Sequence, residues 1–326
     1  MDSIASTLWR ALGALLCGAL AALPAASQAQ YPDRPITIIV PYPAGGVTDL
    51  TARALADGLS RHLPQPAVVV NRPGAGATIG GNAVATAAPD GYTLGFFPLA
   101  AAAPEVFRFA YSAPYTSNDL KAVASVAATA MSFAVKADSP LQSMKDVVEL
   151  ARKSGGLMIG TPGKQTLPSM IMTLMAEKEG VKLEDAAFGG DAKTLPALLG
   201  GHIPVGAIDY AALRSSVEAG KARVLAVCTE QRVDFLPNVP TVLELGYQLP
   251  YVSLLGLFAP KNLPAELVGR LQALVDRITK EPQFADKMRA MTIQPAYKDS
   301  AAYQAVVLRD RDNLEAFFRK QGLYNK

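Results

Sequence analysis

The stretch ITIIVPYPAGGVTDLTARALADGLSRHL, residues 36–63, contains the signals of a strand, a glycine loop and a helix in that order. Ile36–Val40 is an unbroken apolar run with β-branched residues, which predicts a strand covered on both faces. Two prolines and two glycines break the run, and Thr48 is predicted to cap the helix that follows. Apolar residues then recur at helical spacing at Ala52, Leu55, Ala56, Leu59 and Leu63.

This order of elements places free backbone N–H groups at the carboxyl end of a strand, where parallel sheets commonly bind anions. Asp49 lies in the first helical turn, which the helix dipole favours, and Arg53 follows at ion-pair spacing. An ordinary turn between a strand and a helix explains the glycines equally well, since glycine requires only a tight or closely approached backbone. The stretch alone leaves both interpretations open.

The N-terminus has the three parts of a secretory signal peptide. Arg10 precedes the apolar run Ala11–Leu23, and Ser27-Gln28-Ala29 supplies small residues at the −3 and −1 positions of a cleavage site. The run is too short to span a bilayer comfortably, and Cys17 lies inside it rather than in a lipoprotein motif. We therefore predict that residues 1–29 are removed and that an exported, soluble, periplasmic protein remains.

The charge and the reactive side chains disfavour several classes of function. The formal net charge is +3 without any basic run, which argues against nucleic acid as a partner. Cys228 is the one cysteine beyond the signal peptide, and it ends an apolar run, so we predict a small buried residue. The two histidines, His62 and His202, do not have the spacing of metal ligands. No metal and no cofactor are predicted.

Strand-like and helix-like segments alternate along the chain, which predicts an α/β architecture. Beyond the opening unit, the predicted strands are residues 67–70, 92–97, 132–135, 157–160, 203–208, 224–228 and 251–258. The predicted helices are residues 78–87, 143–153, 170–179, 195–199, 213–219, 265–280 and 300–320. Residues 98–119 are predicted to be largely irregular.

The chain lacks the motifs of the common enzyme classes. Gly163-Lys164 is not followed by the rest of a nucleotide P-loop, and no nucleophile elbow and no S-x-x-K motif occurs. A strand, a small-residue loop and a helix start recur instead, at Pro43–Asp49, Gly74–Thr78 and Thr161–Thr166. Three such helix starts around one cleft suit the binding of a small anion better than catalysis.

Long motifs in the chain after residue 29 resemble the solute-binding proteins of tripartite tricarboxylate transporters, the Bug receptors. The motifs are PYPAGGVTDLTAR (41–53), NRPGAGATIGGNAVATAAPDGYTL (71–94), ALLGGHIPVGAID (197–209), GKARVLAV (220–227) and LPNVPTVLELG (236–246). The likeness covers essentially the whole mature chain in the same order. It implies a type II-like, two-lobed periplasmic binding protein of the Venus flytrap kind, in which each lobe is a mostly parallel sheet flanked by helices.

The resemblance also implies how the chain is divided and what it contacts. Residues 30–130 together with 255–326 would form the first lobe, and residues 131–254 would form the second. Such a protein is not an enzyme, is expected to be a monomer, and passes its ligand to the membrane permease subunits of the transporter. The ligand would be a small carboxylate, with aromatic acids included.

In this family, the opening glycine loop and the facing loop of the second lobe grip a ligand carboxylate through backbone N–H groups, hydroxyls and ordered water. Carried over by position, the implied ligand-binding residues are Ala44, Gly45, Gly46, Val47, Thr48, Asp49, Gly76, Ala77, Thr78, Gly163, Lys164, Gln165, Thr166 and Asp209. Asp209 has an equal alternative role as a turn or cap residue.

This sequence departs from the family pattern at several of these positions. Val47 stands where a serine is common, and Ser169 stands where a histidine is expected. Phe188-Gly189-Gly190 replaces a tyrosine, basic residue and glycine, and Lys164 either replaces that charge from another loop or is solvated. These departures leave the identity of the ligand open.

The predicted function is therefore that of a periplasmic receptor that closes by a hinge motion around a small organic acid. One alternative is an exported α/β enzyme acting on a small acid, although a nucleophile–base pair is missing. A second alternative is a receptor that reports its ligand to a signalling partner instead of a permease.

Overall fold

The structure is a computed structural model that describes residues 31–110, 112–163, 166–188, 190–248 and 251–325. The predicted signal peptide, residues 1–29, lies outside the described residues. Lys164 and Gln165, two of the implied ligand-binding residues, also lie outside them.

The described residues form strands and helices that alternate along the chain. The strands are β1 (Ile36–Val40), β2 (Ala67–Asn71), β3 (Thr93–Pro98), β4 (Leu120–Ala128), β5 (Met131–Lys136), β6 (Leu157–Thr161), β7 (Leu183–Ala187), β8 (Val205–Asp209), β9 (Ala222–Val227), β10 (Leu254–Pro260) and β11 (Gln294–Lys298). The helices are α1 (Val47–His62), α2 (Thr78–Ala85), α3 (Leu99–Ala102), α4 (Met144–Ser154), α5 (Leu167–Glu179), α6 (Asp191–Leu199), α7 (Tyr210–Glu218), α8 (Ala265–Thr279), α9 (Pro282–Ala290) and α10 (Ser300–Lys320).

The strands form two mixed sheets, and each sheet with its helices makes one lobe. The first lobe has six strands in the order β11-β4-β10-β3-β1-β2, and the second has five in the order β7-β6-β8-β5-β9. The expected parallel arrangement holds for β2, β1 and β3 in the first lobe and for β7, β6 and β8 in the second. The remaining neighbours pair antiparallel, so both sheets are mixed and the mostly parallel sheets that the resemblance implied are wrong in this detail.

The first strand shows why these sheets are covered on both faces. Ile38 packs with Leu55 and Leu59 of α1 in one buried cluster. Ile39, the next residue, lies in a second cluster on the opposite face with Phe97. Because successive side chains of a strand point to opposite faces, an unbroken apolar run fits a strand buried on both sides. The strand predicted over residues 36–40 is confirmed with both of its ends.

The start of α1 differs from the predicted cap. The helix begins at Val47 with Gly46 as its N-cap, and no side chain caps it, so the capping role predicted for Thr48 is wrong. The reason lies in Asp49, whose carboxylate accepts the Gly45 N–H at 2.9 Å and holds the loop from inside the first turn. Strands β4, β7 and β11 and helix α9 were not predicted from the sequence.

The chain passes between the two lobes at two neighbouring crossovers. The Thr129 N–H donates to the Ser253 carbonyl at 2.9 Å, so the two crossing segments are joined side by side. Asp310 of α10 is buried, and its carboxylate accepts the Val252 N–H at 2.8 Å. These contacts fix the crossovers against the first lobe.

Two further features bear on the class of protein. Within the described residues, no helix combines the length and apolar character needed to cross a bilayer. The same residues contain no group of three or more histidine, cysteine or acidic side chains placed to hold a metal ion.

Cys228 is buried as predicted, and burial raises the pKa of its thiol.

Candidate functional site

The loops singled out in the sequence follow the parallel strands of each lobe. In the first lobe, β1, β2 and β3 end at one edge of the sheet and lead into α1, α2 and α3. In the second lobe, β6, β7 and β8 end at one edge and lead into α5, α6 and α7. Since the carboxyl ends of parallel strands share an edge, each lobe presents a set of helix N-termini from one side.

The two edges lie close to each other in this structure. The backbone of Leu167 at the start of α5 lies beside the hydroxyl of Tyr251, which in turn lies near Tyr42 of the opening loop. Met170, one turn along α5, packs in the first-lobe cluster that contains Ala77. The helix starts of the two lobes therefore lie close together.

The opening loop, Pro41–Gly46, is held by a buried carboxylate. Asp49 accepts hydrogen bonds from the Gly45 N–H and the Asn71 amide, each at 2.9 Å, and from Arg53 Nε at 3.0 Å. Burial alone would raise the pKa of Asp49, but the bonds from Arg53, Gly45 and Asn71 together hold it below its usual value. The predicted ion pair with Arg53 is confirmed, and the Asp49 side chain shapes the loop from within.

Gly46 leaves open space at the start of α1. Its φ of −78° and ψ of 168° suit any residue, and a Cβ there would meet nothing nearer than the Pro43 carbonyl at 3.9 Å. The N–H groups of Val47, Thr48 and Asp49 have no acceptor within the helix, because the first turn of any α-helix leaves them unpaired. Backbone donors and free space therefore occur together here, beside Ala44.

The second loop has an unusual backbone. Ala75, Gly76 and Ala77 all have positive φ, at 47°, 63° and 78°, and this conformation costs an L-residue about 1–3 kcal/mol. The Thr78 hydroxyl is buried and donates to the Ala75 carbonyl at 2.8 Å. Of these residues, Gly76 and Ala75 are exposed, whereas Ala77 is packed against the rest of its lobe.

The third loop is tied to the second lobe by hydroxyl groups. The Thr166 hydroxyl donates to the Gly163 carbonyl at 2.7 Å. Asp185 accepts the hydroxyls of Thr161 and Ser169, both at 2.6 Å, so its two carboxylate oxygens are used within the lobe. Ser169, which stands at the position of the family histidine, therefore has a structural partner.

Asp209 ends β8 and caps α7, because its side chain accepts the Ala211 N–H at 2.9 Å. The capping alternative raised from the sequence is thus confirmed. Burial raises the pKa of Asp209 above its usual range.

Asp191 is a candidate residue that the sequence did not single out. It is the first residue of α6, and its Oδ1 atom is buried without a hydrogen-bond donor among the described residues. Burial and the nearby Asp209 carboxylate raise the pKa of Asp191 to about 6, although the Asp209 N–H partly offsets them. No local pattern signals this pairing, because the two aspartates are eighteen positions apart in the sequence.

A two-lobed architecture in which helix starts of both lobes lie close together is typical of a solute-binding protein. The chain matches the model of the tripartite tricarboxylate transporter family receptor over residues 51–323 and belongs to that family.

Individual relatives agree with this assignment. A UPF0065 protein of Cupriavidus necator is 34% identical over 309 residues, which cover 93% of each chain. A TctC solute-binding protein from Polaromonas, solved without ligand, has a TM-score of 0.78 and 31% identity over 89% of this chain and 99% of its own. An R. palustris protein solved with adipate has a TM-score of 0.71 and 28% identity over 90% of this chain and 98% of its own.

Membership in the family confirms several predictions made from the sequence. The fold class, the solute-binding role and the absence of an enzymatic function all follow from it. The family consists of periplasmic binding proteins, whereas cleavage after residue 29 stays a prediction for this chain.

Proposed function

We propose that this protein is a periplasmic receptor that closes around a small organic carboxylate and delivers it to the permease subunits of a tripartite transporter. Closure occurs at the two crossovers, and contacts from both lobes favour the closed state when the ligand is present.

The observation that carries the proposal is the start of α1. Its N-cap has no side-chain partner, its first N–H groups are unpaired within the helix, and Gly46 has no Cβ to exclude a ligand. A helix N-terminus favours an anion by about 0.3–1 kcal/mol through its dipole, in addition to the hydrogen bonds that its N–H groups donate. A carboxylate matches this arrangement in charge and in geometry.

The remaining proposed contacts come from both edges of the cleft. The first lobe supplies backbone around Ala44–Thr48 and Gly76–Thr78, with Asp49 as the residue that holds the opening loop. The second lobe supplies Gly163, Thr166 and Asp209, together with Lys164 and Gln165, for which we propose contacts on the family resemblance alone.

Two observations support a carboxylate and a hinge. The R. palustris relative was solved with adipate, a dicarboxylate, and it shares 28% of its residues with this chain. The Thr129–Ser253 bond joins the crossovers to each other, so the lobes can rotate about this pair of segments while each sheet stays intact.

A thermal-shift comparison of adipate and succinate with their neutral diamides tests the ligand class. Ligand at a hundredfold excess over Kd stabilises a protein by about 2.7 kcal/mol, so the acids should raise the melting temperature and the diamides should not. Equal or larger shifts with the diamides would contradict the proposal. Delivery is tested with vesicles that contain the permease subunits. Uptake of the carboxylate into these vesicles should require this protein.

A further inference from the structure

A cavity of about 220 Å³ lies beside the two crossovers, and residues of both lobes line it. The first lobe supplies Gln294–Lys298 of β11, and the second supplies Cys228–Val233, the segment that follows β9. Thr129 and Ser253 of the crossovers also line the cavity, and their hydroxyls hydrogen-bond to each other. None of the described residues implied for ligand binding lines it, so this cavity is separate from the proposed site.

The sheet orders place this cavity and the proposed ligand site on opposite sides of the crossovers. In the first lobe, β4 and β10 adjoin the crossovers, with β11 on one side of them and β3, β1 and β2 on the other. In the second lobe, β5 begins at a crossover, with β9 on one side of it and β8, β6 and β7 on the other. The cavity joins the β11 and β9 sides, whereas the opening loop follows β1 and the third loop follows β6.

Contacts between the lobes occur on both of these sides. On the cavity side, the Glu230 carboxylate lies 3.8 Å from Lys298 Nζ. The Asp234 N–H donates to the Gln294 side chain at 3.4 Å on the same side. These two contacts are long and partly exposed, so a rotation of the lobes breaks them at little cost. On the ligand side, Met170 of α5 is buried in a first-lobe cluster.

We propose that this hinge-side cavity widens when the ligand cleft closes, so that bulk placed in the cavity favours the closed receptor and tightens ligand binding. The inference rests on the proposed function, because it needs lobes that rotate about the crossovers. Since each sheet with its helices moves as one body, a rotation that brings the β1 and β6 sides together moves the β11 and β9 sides apart. A side chain that fits only the wide cavity disfavours the open arrangement and raises the closed population.

The two sides of this structure agree with such a coupling. The cavity is present while Met170 is packed against the first lobe, which is the combination that the closed arrangement requires. Ala296 is well placed to change the volume of the cavity, because it lines the cavity and is partly exposed. It lies between Gln294 and Lys298 on β11, and both of these residues contact the second lobe.

Ala296→Phe tests the inference, and Ala128→Leu adds bulk to the cavity from the neighbouring strand β4. Calorimetry uses whichever of succinate and adipate the wild type binds more tightly. Both variants should bind it about threefold or more tightly than the wild type, since a rise in the closed fraction from about 10% to about 50% lowers the apparent Kd about fivefold. Small-angle scattering from the ligand-free variants should also give a smaller radius of gyration than that of the ligand-free wild type.

Ala265→Phe is the matched control, since Ala265 is exposed at the start of α8 and does not line the cavity. It should leave the affinity and the radius of gyration unchanged. Lower or unchanged affinity in an Ala296→Phe protein with a native circular dichroism spectrum would overturn the inference while the carboxylate receptor stands.

If Ala296→Phe does not fold, the same outcomes in Ala128→Leu decide the inference. A ligand-free radius of gyration equal to that of the wild type would overturn it whether or not a ligand binds. Failure of the wild type to bind either acid would instead contradict the proposed function.

Discussion

Gly46 is the residue at which backbone recognition can be tested without disturbing the fold. Its dihedral angles are compatible with a side chain, and the space beside it is open. Gly46→Val should therefore fold with nearly unchanged stability but place two methyl groups where the ligand approaches α1. We expect a loss of carboxylate affinity of about a hundredfold or more, measured by calorimetry.

Gly269→Val in α8 serves as the control, because a Cβ at Gly269 also meets no neighbouring atom. It should retain full affinity. Unchanged affinity in a Gly46→Val protein with a native circular dichroism spectrum would remove the opening loop from the site.

Asp191 should make the free energy of unfolding fall as the pH rises. A salt-bridged aspartate has the opposite effect. The pKa of an unfolded aspartate is about 3.9, whereas burial and Asp209 raise the folded pKa of Asp191 to about 6. The native state therefore holds the proton more tightly and loses stability as the pH rises from about 4 to 6. Asp191→Asn should be more stable than the wild type at pH 7.5 by about 1–2 kcal/mol, a figure reduced for partial exposure.

Urea denaturation at pH 7.5 and at pH 4 measures this difference, which should be nearly absent at the lower pH. An Asp191→Asn variant that is less stable than the wild type at pH 7.5 would show that the ionised Asp191 carboxylate does not destabilise the native state. The retention of a destabilising group would be consistent with a functional use of that group.

At the scale of elements, the sequence predicted most strands that are buried on both faces, although it missed the central strand β4 (Leu120–Ala128), whose sequence is rich in alanine. Ile36–Val40 and the helix Ser300–Lys320 have the predicted bounds. Strands β7 and β11 were missed, and both are edge strands, with sequences LEDAA and QPAYK that lack a run of β-branched residues. Their conformation comes from pairing with β6 and β4, which local composition does not encode.

In the candidate site too, local sequence predicts some features, whereas others depend on the fold. The glycine loop before α1 has a local signal, because glycines between a strand and a helix indicate a closely approached backbone. The proximity of Asp191 and Asp209 depends on the order β7-β6-β8 in the second sheet and on the position of α6, so no short motif contains it.

Helix α10 positions the second crossover through one buried side chain. Asp310 accepts the Val252 N–H at 2.8 Å and pairs with Arg309. Asp310→Ala leaves that N–H buried without an acceptor, which should cost about 1–3 kcal/mol of unfolding free energy. Asp312→Ala, at an exposed position of the same helix, should cost less than about 0.5 kcal/mol. Equal urea midpoints for the two variants would show that Asp310 does not anchor the crossover.

For the whole molecule, the relation between the lobes is set by the crossovers and by direct contacts between the lobes. Arg214 of α7 in the second lobe donates from Nη1 to the Ala290 carbonyl, at the end of α9 in the first lobe, at 3.1 Å. The same side chain donates from Nε to Glu218, four residues along α7, at 2.6 Å. The first contact joins the lobes, whereas the second stays within one helix.

If closure accompanies binding, Arg214→Ala should weaken ligand affinity about two- to fivefold, because a contact that favours the closed state is lost. Glu218→Ala removes only the partner within α7 and should leave affinity unchanged. Small-angle scattering should show the wild type contracting when a bound carboxylate is added, and Arg214→Ala should need a higher ligand concentration for the same contraction. A radius of gyration that stays constant at saturating ligand would exclude hinge closure and would leave a receptor whose lobes do not move.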